Sequence, residues 1–169
     1  GGALPMNRKF YHLLALLFSL MPLALLISCS QEDTKIEATL SSLWDNKFST
    51  CGVGCHNGVE EITKNGPLFT SKSAFLSSMK DKTVANSYPA WTNELARTAT
   101  CDSFPLIDTG NASNSILTAT MIKSYSDSIS SSGSCDTAYA YHNTKNQTIT
   151  DSDIEKALVD WINAGAQDN

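Results

Sequence analysis

The stretch Cys51-Gly-Val-Gly-Cys55-His56 places two thiols and an imidazole within six residues. A thiol can add to a vinyl group of haem, and a histidine directly after the second thiol can turn inward to bind the iron. The usual motif has two residues between its cysteines, whereas this one has three. We predict that Cys51 and Cys55 attach one haem covalently, and that His56 is the proximal iron ligand.

The extra residue between the cysteines has a simple structural solution. Residues three and four apart lie on nearly the same face of a helix, so a small bulge can absorb one insertion. Gly52 and Gly54 make such a bulge inexpensive.

Two other uses of the motif stay open on the sequence alone. Cys51 and Cys55 could form a local disulfide in a haem-free domain. Cys51, Cys55 and His56 could instead bind zinc, although an adjacent cysteine and histidine rarely chelate one metal ion.

The N-terminal region resembles an export signal. Arg8 and Lys9 precede an apolar run from Leu13 to Ile27 that is short for a membrane-spanning helix. The run ends at Leu-Ile-Ser-Cys29, which resembles a bacterial lipobox, where an acylated cysteine becomes the first mature residue. We therefore expect lipid at Cys29 and a membrane partner for that lipid.

These patterns divide the chain into three parts. Residues 1–28 are predicted to be a signal peptide, with a few extra residues ahead of Met6. Residues 29–34 are predicted to be a lipidated tether, and residues 35–169 a single domain. The protein is expected to be exported and to face the periplasm or the cell surface. Ser30, in place of an aspartate, favours the outer membrane over the inner one.

The charge balance limits the partners. The chain has 17 acidic residues against 12 Lys and Arg, a formal net charge of −5. Arg8 and Lys9 lie in the predicted signal, so the mature part is more acidic still. This balance disfavours nucleic acid and anionic lipid surfaces, and it suits basic or neutral protein partners.

The five cysteines can be assigned without remainder. Cys29 would carry lipid, Cys51 and Cys55 would carry haem, and Cys101 would pair with Cys135. An oxidising compartment permits such a disulfide. A second assignment, with Cys51 paired to Cys55, also leaves no thiol over.

Apolar spacing predicts an all-α domain of three to four helices with long loops around one haem. The predicted helices are 35–48, 71–79, 116–123 and a last one that begins at Thr150. Thr150 with Asp153 resembles a capping box. The serine-rich segment 125–134 and the segment 139–143 are predicted to be loops.

Taken together, these features resemble a small single-haem cytochrome c domain of exported bacterial proteins. The resemblance rests on the apolar helix entering the motif, on Cys55-His-Asn-Gly58, on Pro67-Leu-Phe-Thr-Ser71, and on the ending 149–166. It covers most of residues 35–166, with gaps around Trp91 and at the serine-rich segment. It implies that the first and last helices cross and pack beside the haem.

The resemblance also locates the distal iron ligand. Such domains usually carry a methionine in the loop before the last helix, but this chain has Tyr-Ala-Tyr-His142-Asn there. His56 and His142 are the two histidines of the predicted mature chain. We therefore predict His56/His142 coordination, with Met121 as the alternative distal ligand and Met79 as a further one.

The function implied is electron transfer with redox partner proteins, by a membrane-tethered monohaem c-type cytochrome that is a carrier rather than an enzyme. A saturated iron passes electrons and does little else. The alternative is a haem-free surface lipoprotein that uses a degenerate cytochrome scaffold as a binding or structural module.

Overall fold

The computed structural model describes residues 35–60, 64–91, 101–131 and 137–169. All of them fall within one unit, Lys35–Asn169. The predicted signal peptide, the tether with Cys29, and Cys135 lie outside the described residues.

Helices dominate the described ranges, which contain no β-strand. The α-helices are α1 Leu40–Leu43, α2 Ser49–Gly54, α3 Lys72–Met79, α4 Val84–Ser87, α5 Ile116–Met121, α6 Lys123–Ser131, α7 Tyr139–Thr144 and α8 Ser152–Asn163. A π-helix spans Trp44–Phe48 and a 3₁₀-helix spans Ala112–Asn114. The all-α class is confirmed, but the expected number of helices is too low because short helices replace several predicted loops. None of these helices is long and apolar enough to cross a membrane.

The first helix continues through the cysteine motif instead of ending before it. It begins after Thr39, whose hydroxyl accepts a hydrogen bond from the Ser42 N–H at 3.1 Å. α1 then passes through the π-helical turn directly into α2. A π-helical turn takes one more residue than an α-helical turn would. The helix begins at Leu40 and continues past Phe48 to Gly54, so the predicted bounds 35–48 are wrong at both ends.

The first and last helices pack against each other, as expected. α1 contacts α8, and Leu40, Leu43, Leu158 and Ile162 are fully buried. These residues belong to one hydrophobic cluster that also contains Trp161. The core therefore forms between the helix that enters the motif and the helix that ends the domain.

α8 begins one residue later than the capping-box pattern predicts. The carboxylate of Asp151, not the hydroxyl of Thr150, accepts hydrogen bonds from the N–H groups of Asp153 at 2.8 Å and Ile154 at 3.3 Å. A carboxylate there also interacts favourably with the positive end of the helix dipole.

The serine-rich segment is helical over α6, so the predicted loop is wrong for that part. Ile129 is buried, and Ser126 Oγ lies 2.6 Å from Thr137 Oγ1 in the interior. Lys123 and Asp127 form an ion pair one turn apart on the outer face. Burial on one face and an ion pair on the other stabilise a helix that serine alone does not favour.

Candidate functional site

An apolar cavity of about 210 Å³ lies between the cysteine motif and α5 and α7. Its lining includes the three motif residues Cys51, Cys55 and His56, together with Met121 and His142. An engineered protein cavity of about 150 Å³ is enough to bind benzene. The structure thus brings the predicted haem-attachment and iron-ligand residues to one cavity with room for a ligand larger than benzene.

His56 is held by its backbone neighbours and by an aromatic ring. Its Nδ1 lies 3.2 Å from the Pro67 carbonyl oxygen, and its ring stacks on Phe69 with 4.3 Å between centroids and 15° between planes. A carbonyl oxygen can only accept, so Nδ1 carries the proton and Nε2 keeps a lone pair. Burial lowers the pKa of His56 to about 4, which keeps the imidazole neutral near pH 7.

His142 lies on helix α7 and not in the loop expected there. Its Nδ1 lies 2.9 Å from the Ala138 carbonyl oxygen. Ala138 precedes the helix in the left-handed conformation, with φ 58°. Burial lowers the pKa of His142, the Ala138 hydrogen bond opposes that effect, and the Lys47 ammonium adds to the lowering. His142 is therefore also a neutral imidazole with a lone pair on Nε2.

The two imidazoles line the same cavity. His142 contributes electrostatically to the lowered pKa of His56. Both rings line the same cavity, and each spends its Nδ1 proton on a backbone carbonyl. Metal-binding histidines commonly have this arrangement, since the carbonyl fixes the tautomer and the ring orientation. Each of the two histidines therefore keeps a neutral Nε2 lone pair that could bind a metal ion.

Cys51 and Cys55 lie in different surroundings. Cys51 is half-buried, with Sγ 3.9 Å from the Lys47 carbonyl oxygen and 4.0 Å from Gln147 Oε1, and burial raises its pKa. Cys55 is exposed. The alternative Cys51–Cys55 disulfide is not formed in this structure.

The extra residue of the motif is accommodated without the bulge expected at its glycines. α2 is regular up to Gly54. The Cys51 carbonyl then accepts from both the Cys55 N–H at 3.3 Å and the His56 N–H at 2.9 Å. The helix leaves its regular geometry at Cys55, where the bond from the His56 N–H back to the Cys51 carbonyl spans five residues instead of four.

Gly52 has a specific role in this packing. A Cβ atom added there would lie 2.7 Å from the Phe69 carbonyl carbon and closer still to its oxygen. The Phe69 N–H in turn donates to the His56 carbonyl at 2.8 Å. An added Cβ at Gly54 would meet no atom within 4 Å. Gly52 thus permits a close backbone approach to the segment that positions His56.

The remaining predicted residues divide into two groups. Met121 and Met79 both line the cavity and are each 4% exposed within the hydrophobic core. Cys101 is disulfide-bonded, and its predicted partner Cys135 lies outside the described residues. Among the described residues, no three His, Cys, Asp or Glu side chains form a cluster that could hold a metal ion.

Sequence reasoning missed Lys47, Phe69 and Gln147. Lys47 lies four residues before Cys51, a spacing that places both on one helix face and could have indicated their contact. Phe69 and Gln147 come from distant parts of the chain, and no local pattern marks them.

Comparison with protein-family models, curated proteins and solved structures found no match to this chain.

The donor set suits haem on chemical grounds. Haem iron takes imidazole ligands on one or both sides, and its vinyl groups react with thiols. The cavity lining is mainly apolar, as is a haem macrocycle, and Cys51 and Cys55 line the same cavity as the two imidazoles.

Proposed function

We propose that this protein is a membrane-tethered, monohaem c-type cytochrome that transfers electrons in the periplasm or at the outer membrane. Its fold is proposed to be cytochrome c-like. Cys51 and Cys55 attach the haem, His56 is the proximal ligand, and His142 is the distal one.

One observation carries the proposal. His56 and His142 are far apart in sequence, yet both line one apolar cavity and both hydrogen-bond through Nδ1 to backbone carbonyls. Cys51 and Cys55 line that cavity as well. A histidine that served only as a surface residue would not need to be half-buried, with its ring orientation fixed by a backbone carbonyl.

Haem, when bound, supplies a metal centre that cycles between ferric and ferrous states. The residues of the chain attach, orient and shield it. Each thiol adds across a vinyl double bond, with sulfur joining one carbon and the thiol proton joining the other, so the addition is redox-neutral. Two imidazole ligands stabilise ferric iron more than one imidazole and one thioether, so the reduction potential should be low for this class.

The attachment experiment uses the full chain expressed in a host with and without c-type maturation machinery. We expect a coloured product, haem peroxidase staining on a denaturing gel, and a peptide mass increased by one haem on 51–56. The matched controls are Cys51→Ala and Cys55→Ala, each of which should leave one thioether. A colourless product with unmodified peptide mass would reject the proposal and favour the haem-free lipoprotein.

The membrane tether is tested separately. Wild-type protein should fractionate with membranes and require detergent for release, whereas Cys29→Ser should not carry lipid and should leave the membrane fraction. Equal fractionation of the two would contradict lipidation at Cys29. The acidic surface leads us to propose basic or neutral protein partners as electron donors or acceptors.

A further inference from the structure

The segment 137–149 carries His142, and we call it the distal segment. Both of its ends are attached to the helices on its own side of the cavity. Thr120 Oγ1 donates to the Thr137 carbonyl at 2.7 Å, and the Ile149 N–H donates to the Met121 carbonyl at 2.8 Å. These bonds fix the segment to α5 but do not tie it to the helix that carries the cysteine motif.

Two polar contacts connect the distal segment to the first helix. Lys47 Nζ donates to the Thr148 carbonyl at 3.2 Å, and Cys51 Sγ lies 4.0 Å from Gln147 Oε1. The Gln147 N–H donates to the His142 carbonyl at 2.9 Å, so this part of the segment is bonded directly to the residue that carries the imidazole.

Haem attachment changes the balance between these two contacts. A Cys51 thiol that has added to a vinyl group has no S–H left to donate, so its contact with Gln147 weakens. The Lys47 contact does not depend on the thiol. It is a half-buried, charge-assisted bond, and such bonds are stronger than neutral ones.

We infer that Lys47 is a positioning residue that holds the distal segment against the first helix and thereby keeps His142 on the iron. This inference rests on the proposed function, because it concerns the distal ligand of the attached haem. Lys47 is not among the residues that line the cavity, and it acts through Thr148.

The consequence is measurable with carbon monoxide on the ferrous, haem-loaded protein. Carbon monoxide can bind only in the fraction of molecules from which His142 has dissociated, so its apparent affinity scales with that fraction. Lys47→Met removes the donor and keeps most of the aliphatic stem. We expect it to raise the apparent affinity and the association rate by about tenfold, the effect of about 1.4 kcal/mol.

Three comparisons make this result specific. Lys47→Arg keeps a cationic donor and should stay near wild type. Lys72→Met also removes an ammonium that donates to the first helix, to Ser41 Oγ at 3.0 Å, but it has no bond to the distal segment and should change nothing. If Lys47→Met fails to load haem, Lys47→Gln, with a shorter neutral side chain, is measured in its place with the same expectation.

The inference is overturned if haem is attached and the neutral Lys47 variant binds carbon monoxide like wild type. It is also overturned if Lys72→Met has the same effect as Lys47→Met. A wild-type protein without covalent haem rejects the proposed function instead, so the two failures are distinguishable.

Discussion

Replacing Gly52 with alanine is expected to destabilise the domain and to disturb His56. The new Cβ would overlap the Phe69 carbonyl group, whose carbon would lie only 2.7 Å away. Both neighbours are backbone, so no side-chain rotation can relieve the overlap. The segment that carries Phe69 and the Pro67 carbonyl must move, and with it the acceptor of the His56 Nδ1 proton.

The size of the effect follows from two opposing contributions. Overpacking a well-filled interior costs about 1–3 kcal/mol and occasionally more, and a backbone clash belongs at the upper end. Alanine in place of glycine inside a helix returns up to about 1 kcal/mol. We expect Gly52→Ala to lower the free energy of unfolding by about 2–3 kcal/mol. Gly54→Ala, two residues away with open space around it, should be neutral or stabilising by up to about 1 kcal/mol.

The assay is equilibrium urea unfolding of the two variants and wild type, followed by tryptophan fluorescence at one pH and salt concentration. Trp161 is buried in the core and reports global unfolding. Midpoints that shift in opposite directions, or a large fall confined to Gly52→Ala, support the packing described. Equal stability of the two variants would refute it, because both substitutions lie in the same helix.

Three further predictions concern the cap, the serine-rich helix and acid. Asp151→Ala should lower the free energy of unfolding by about 1 kcal/mol, as loss of an N-cap does, whereas Thr150→Ala should change it little. A larger loss for Thr150→Ala than for Asp151→Ala in urea unfolding would show that Thr150 is the cap instead. Ser126→Ala should destabilise the domain by about 1–3 kcal/mol, because it leaves the buried Thr137 hydroxyl without its Ser126 partner. Ser128→Ala, on the exposed face of the same helix, should be neutral or slightly stabilising. Equal losses for the two variants would contradict the helix. For the haem-free chain, the pKa of His56 is lowered to about 4 by burial, so the unfolded chain binds more protons between about pH 6.5 and 4. The contribution of His56 to the free energy of unfolding is therefore fully present above about pH 6.5 and falls on acidification by up to about 1.4 kcal/mol per pH unit. His56→Gln should reduce this slope. If urea titrations of the wild-type chain show no such slope, the neutral buried imidazole is contradicted.

The parts of the fold that the sequence predicts well are those governed by local signals. Ser71 caps α3 through its hydroxyl, which accepts from the Ala74 N–H at 3.1 Å, and the predicted helix over 71–79 is confirmed. α8 is found within one residue of the start that Thr150 and Asp153 predict. In both cases the periodicity and the terminal residues point to the same structure.

The parts predicted wrongly depend on contacts that are distant in sequence or on rare geometry. The π-helix Trp44–Phe48 has no signature in a 3.6-residue period, so the first helix was expected to end before the motif. α7 is a short helix whose start requires Ala138 at positive φ, which alanine rarely adopts. α6 depends on a hydroxyl pair with Thr137, and serine content alone indicates a loop.

The candidate site shows the same division. The motif itself predicts Cys51, Cys55 and His56, and the structure places all three among the residues that line the cavity. The Nδ1 acceptors, Pro67 and Ala138, are backbone carbonyls that any residue could supply, so no sequence pattern marks them. Lys47 is predictable only in part. Its four-residue spacing from Cys51 predicts that both lie on one helix face, but nothing in the sequence predicts its bond to Thr148.

We propose that His56 and His142 would both bind the iron of one covalently attached haem. The most direct measurement is the electron paramagnetic resonance spectrum of the ferric, haem-loaded protein, taken on wild type and on His142→Ala. We predict a low-spin spectrum typical of two imidazole ligands in wild type, and a change to a high-spin or exogenously ligated spectrum in the variant. An unchanged low-spin spectrum in His142→Ala would contradict His142 as ligand and favour Met121 or Met79.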